Sequence, residues 1–129
     1  MNFNKLFEDI MENETVKLSD LYDYDEFMDT SEALHDFSDK SDYDKTFTVH
    51  EMSPESASQL KTCRDDTTVI NSYKDFASKE QKSIVKDKMR NFDADRIVVI
   101  AGTTLVDGNH HVVAAILSGK PIKYINLHS

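Results

Sequence analysis

The chain has 129 residues, 39% of them apolar and 30% charged, and carries a formal net charge of −9. That length suits one domain able to bury roughly two-thirds of the surface its unfolded chain would expose. No apolar run nears the roughly 20 residues of a membrane span, the first residues lack the apolar core of a secretory signal, and the single cysteine, Cys63, excludes an internal disulfide; the expectation is a cytoplasmic protein with no membrane partner.

Charge divides the chain in two. Residues 1–45 hold 14 Asp and Glu against Lys5, Lys17, Lys40 and Lys45, whereas residues 46–129 hold 10 against 11 Lys and Arg. An anion site belongs in the second part, and an acidic surface for a basic partner in the first.

In chain order, Phe3, Leu6, Phe7, Ile10 and Met11 recur at helical spacing and predict an amphipathic helix. Ser19 is placed to cap a second helix through Met28, with Leu21, Tyr24, Phe27 and Met28 inward and Asp20, Asp23, Asp25 and Glu26 mostly outward. Thr30 or Ser31 caps a third, short helix carrying Ala33, Leu34 and Phe37. Segment 46–51 alternates as a strand does. Ser53 before Pro54 opens a helix reaching about Lys61, and the stretch from Thr62 to Asn71 reads as irregular. Ser78 with Gln81 forms a capping box for a helix through about Arg90. Arg96 to Ala101 is a buried strand, Gly102 to Thr104 a turn, and Leu105 and Val106 a returning strand. Asn109 to Ser118 is a helix stopped by Gly119, and Ile122 to Leu127 is a closing strand. The order predicts an α+β or mixed α/β domain.

One segment carries chemistry. Leu105-Val106-Asp107-Gly108-Asn109-His110-His111 runs from strand through a glycine turn into a helix. The first-turn N–H groups of a helix lack intrahelical partners, and the helix dipole places roughly +0.5 charge beside them. Gly108 permits close approach of a ligand or of neighbouring backbone, Asn109 is a good N-cap, and His110 and His111 add donors near the same point. Each also has a plain structural reading: Asp107 as a turn residue, Asn109 as a cap without ligand, and the histidines as packing groups. A shared metal on His110 and His111 is disfavoured, because adjacent helical residues diverge by about 100°. Arg90 and Arg96 flank the hairpin and are candidate sources of further positive charge.

From Asp95 to Leu127 the chain resembles the ParB/sulfiredoxin-like superfamily: Asp107-Gly108-Asn109-His110-His111, then Ala114-Ala115, Gly119 and Ile122-Lys123-Tyr124-Ile125 follow that family's order and spacing. The resemblance implies a small mixed sheet with helices over 46–129; residues 1–45 show no match to the family, and their charge and apolar spacing read as an acidic helical extension packed on that domain. It further implies that Asp107, Gly108, Asn109, His110 and His111 bind phosphate, with His110 the catalytic candidate. The family includes cytidine-triphosphate switches, sulfiredoxin, free-serine kinases and nuclease-like members. Sulfiredoxin chemistry is excluded, since Asn109 stands where that enzyme has its cysteine. The nearest motif form is D-G-N-H-R, in which His111 here replaces a phosphate-binding arginine, a stronger and bidentate anion clamp. Two functions follow. One is a nucleotide-dependent protein in phosphoryl-transfer or nucleic-acid-related chemistry, using a nucleoside triphosphate with Mg²⁺. The other is a non-catalytic acidic protein that binds a basic, nucleic-acid-binding partner through residues 1–45, as a nucleic-acid mimic or inhibitor.

Overall fold

The computed structural model describes residues 14–29, 38–63 and 66–128. The helices expected at residues 3–11 and 30–37 lie outside them. In chain order the elements are β1 (Thr15–Lys17), α1 (Leu18–Leu21), α2 (Tyr24–Asp29), a 3₁₀ turn at Lys40–Asp42, β2 (Thr46–Thr48), β3 (His50–Met52), α3 (Pro54–Ala57) and β4 (Lys61–Thr62). Then come α4 (Val69–Phe76), α5 (Lys79–Arg90), β5 (Ile97–Ala101), β6 (Thr104–Asp107), α6 (Asn109–Ser118) and β7 (Ile122–Asn126). The fold is mixed α+β, as composition and spacing predict.

A five-stranded sheet in the order β3-β7-β5-β6-β4 forms its centre. β5 pairs parallel with β7 and antiparallel with β6, so α6 lies on the crossover between β6 and β7. Alternating side chains divide along each strand. Val98, Ile100, Leu105 and Ile122 join a core with residues of α3 to α6, whereas Val99, Ala101, Val106, Ile125 and Leu127 face Leu18, Phe27 and Phe47 from the amino-terminal segment. Burial on both faces explains why Ile97–Ala101 is apolar without a break.

Local chemistry sets several boundaries as expected. Ser53 Oγ accepts from the Ser56 N–H at 3.2 Å behind Pro54. Ser78 and Gln81 bond reciprocally, at 3.1 Å and 2.9 Å. Gly119 ends α6 with φ +67°, a left-handed conformation costly to a residue with a Cβ.

β1 and β4 are strands that the sequence does not predict, and four expected stretches come out differently. The strand expected at 46–51 is two strands, because at Val49 the chain changes partner: β2 pairs with β1, and β3 pairs with β7 at the edge of the large sheet. The Val49 N–H marks the switch by donating to the Glu14 carbonyl at 2.8 Å. The helix expected from Ser19 to Met28 breaks at Tyr22, which is extended at φ −136° and ψ 138° while its phenol is hydrogen-bonded to Asp107. The helix after Pro54 stops at Ala57 rather than Lys61, as Lys61 is drawn into the sheet against Thr104. Finally, α4 occupies part of the stretch expected to be irregular, capped by Thr68 Oγ1, which accepts from the Asn71 N–H at 3.2 Å.

Candidate functional site

The glycine turn between β6 and α6 is fixed by packing. Gly108 has φ +111°, and a Cβ there would stand 2.5 Å from Val98 Cγ1. Its missing side chain lets the turn seat on β5, and Gly108, not Asn109, is the N-cap of α6. Asn109 is the first helical residue, a correction that follows from the left-handed backbone preceding it.

Gly108 supplies no side-chain cap, and the first turn of α6 contains no acidic residue. The Val112 N–H donates to the Gly108 carbonyl at 2.9 Å, which leaves the amides of Asn109, His110 and His111 ahead of the intrahelical ladder. Helices α4 and α5 begin instead with Thr68 and Ser78 bonding their first turns.

In front of this helix start lies an open cleft of about 420 Å³, lined by Asn109 and His110 together with Cys63, Ser72, Tyr73 and Phe76. Phe76 is 74% exposed, a large aromatic face left in solvent at the rim. Thr62, Val69, Ala77, Gln81 and Val113 complete the walls.

The two histidines part company. His110 is partly exposed and lines the cleft; burial, then Lys88 and Arg96, hold its pKa below the ordinary 6.5, so the ring is neutral at pH 7. His111 is 3% exposed and stacks on Phe92 with ring centroids 4.7 Å apart and an interplanar angle of 15°. Burial, followed by Arg96 and Lys88, pushes its pKa down to about 4 despite the opposing charge of Asp93. Lys88 and Arg96 therefore place positive charge near the start of α6, with Asp93 opposing them at His111. Lys120 Nζ lies 5.0 Å from the Phe92 centroid, adding a cation to the ring on which His111 stacks.

Asp107 accepts a hydrogen bond from the Tyr22 hydroxyl. Of the five residues expected at the site, the structure brings Asn109 and His110 to the cleft, while Gly108 is pressed on Val98, His111 on Phe92, and Asp107 is tied to Tyr22. Reading the sequence missed the opposite wall. Tyr73 and Phe76 sit on α4, whose signal is present as Thr68 before Val69, Ile70, Tyr73 and Phe76 at helical spacing.

Among the described residues, no group of three or more His, Cys, Asp or Glu side chains could hold a metal ion, and no helix is long and apolar enough to cross a membrane. Comparison with protein-family models, with curated proteins and with solved structures found no match.

Proposed function

We propose that the chain is a ParB/sulfiredoxin-like nucleotide-binding protein acting in phosphoryl-transfer or nucleic-acid-related chemistry. The observation that carries this reading is the cleft at the start of α6, where the N-cap glycine supplies no side-chain hydrogen bond and Lys88 and Arg96 act on the histidines. A phosphate there receives the amides of Asn109 to His111 and a hydrogen bond from the His110 imidazole. Tyr73 and the exposed Phe76 offer faces on which a nucleobase stacks, an interaction worth about 1–3 kcal/mol per base. His110, uncharged at neutral pH, is suited to move a proton at the phosphate or its acceptor. His111 contributes its backbone amide, its ring being engaged by Phe92. With no protein metal cluster among the described residues, Mg²⁺ would be held mainly by the nucleotide phosphates, where it neutralises charge.

Calorimetric titration with the four ribonucleoside triphosphates, with and without Mg²⁺, tests the reading. One or more should bind, and His110→Ala should weaken that binding about tenfold, the value of one charge-assisted hydrogen bond, without lowering thermal stability. Silence from all four at millimolar concentration, or an unchanged affinity in His110→Ala, overturns it.

A second reading rests on the acidic segment. Asp23, Asp25 and Glu26 of the α2 region gather with Asp44 about the Tyr43 phenol and raise its pKa, after burial, above the ordinary value of 10.0. This exposed carboxylate face would suit a basic, nucleic-acid-binding protein. It predicts capture that weakens with salt and with reversal of Asp23 and Asp25, and that ignores His110→Ala.

A further inference from the structure

The motif aspartate occupies an unusual place. Asp107 immediately precedes the N-cap of α6, and the cap residue, Gly108, has no side chain of its own. A carboxylate this near a helix start ordinarily turns onto the first-turn amides, where both hydrogen bonding and the helix dipole favour it. Here it does not; it accepts the hydroxyl of Tyr22, which comes from the amino-terminal segment 85 residues away.

Tyr22 is itself held. Its carbonyl accepts from the Tyr43 hydroxyl at 2.8 Å, and the Tyr43 ring packs 5.0 Å from that of the buried Phe27. Burial and the neighbouring Asp107 carboxylate push the Tyr22 phenol far above its ordinary pKa of 10.0, although Arg96 opposes them. It is therefore a hydrogen-bond donor throughout the physiological range.

We propose that Tyr22 is a positioning residue that keeps the Asp107 carboxylate off the first-turn amides of α6, so that an external anion can take them. The inference rests on the reading of α6 as an anion site, and it gives the amino-terminal segment a part in that site. Without the Tyr22 hydroxyl, Asp107 becomes an internal competitor for the amides of Asn109, His110 and His111.

The test compares wild type, Tyr22→Phe and the double variant Tyr22→Phe/Asp107→Ala, whose methyl group cannot accept from the amides. In ligand-free ¹H–¹⁵N spectra, Tyr22→Phe should move the amide resonances of residues 109–111 downfield, and the double variant should return them. Amides unmoved in Tyr22→Phe overturn the proposal whatever ligand binding shows. With inorganic pyrophosphate as probe, Tyr22→Phe should bind about fivefold more weakly than wild type, the worth of a typical helix cap, and the double variant should recover. Equal affinity in wild type and Tyr22→Phe also overturns the proposal, as does a loss that the double variant fails to reverse. Wild type that binds no pyrophosphate overturns the anion-site reading, while the ligand-free spectra still decide the role of Tyr22. Tyr43→Phe releases the Tyr22 backbone without touching its phenol; a smaller displacement of the same amides in the same direction keeps the test decisive if Tyr22→Phe does not fold.

Discussion

The two faces of the central sheet are closed by different means. The face under α3 to α6 is covered by helices following β3 in the chain, with Val85, Val112, Ala114 and Ala115 fully buried against Val98 and Leu105. The opposite face is closed by the segment from β1 to β2, which brings Leu18, Phe27 and Phe47 to Val99, Val106 and Ile125. The first face carries the cleft. The second carries the exposed carboxylates of Asp20, Asp23, Asp25, Glu26 and Asp44, while the buried Leu18, Phe27 and Phe47 anchor the segment. The contrast teaches that a strongly charged segment docks when its apolar residues are few but large, since burial free energy scales with area and not with the number of residues.

The largest test breaks the helical face. Gly108→Ala combines a left-handed backbone with a Cβ 2.5 Å from Val98 Cγ1, and should cost about 4 kcal/mol in urea unfolding, strain and overpacking adding. Phe27→Ala breaks the other face. It removes the largest fully buried side chain there and should cost about 3 kcal/mol, seen as a lower urea midpoint. If Phe27→Ala costs less than 1 kcal/mol, the acidic segment is only loosely docked and the contrast between the faces fails.

The smallest effect is one of pH. His111 titrates at about 4 when folded and at 6.5 ordinarily, so between those values the unfolded chain binds more protons. Its stabilising contribution is complete above pH 6.5 and is lost as pH falls towards 4. After allowance for solvent screening, the loss is about 2 kcal/mol. His110 shifts in the same direction and adds to it. His111→Leu should flatten the dependence of urea midpoint on pH across this window; an unchanged slope would place the titrating group elsewhere.

Short-range signals were legible where they act alone. Ser53-Pro54, the Ser78–Gln81 box and Gly119 set boundaries through contacts within a few residues, so the unaided sequence locates them. The motif was legible in the same way, as a glycine turn opening a helix. Its division of labour was not. Asn109 and His110 face the cleft, yet His111 goes to Phe92 and Asp107 to Tyr22, because those partners come from other elements of the chain.

The sequence by itself therefore determined the α+β class, the buried β5 strand and the stop of α6, since period and the left-handed glycine at a helix end are properties of neighbouring residues. Only the tertiary structure decided that one β-prone stretch splits between two sheets, that Tyr22 interrupts a helix to reach Asp107, and that α4 walls the cleft with Tyr73 and Phe76. Those outcomes depend on which surfaces meet across long chain separations, where burial and hydrogen bonding outweigh the weak preferences of any local segment.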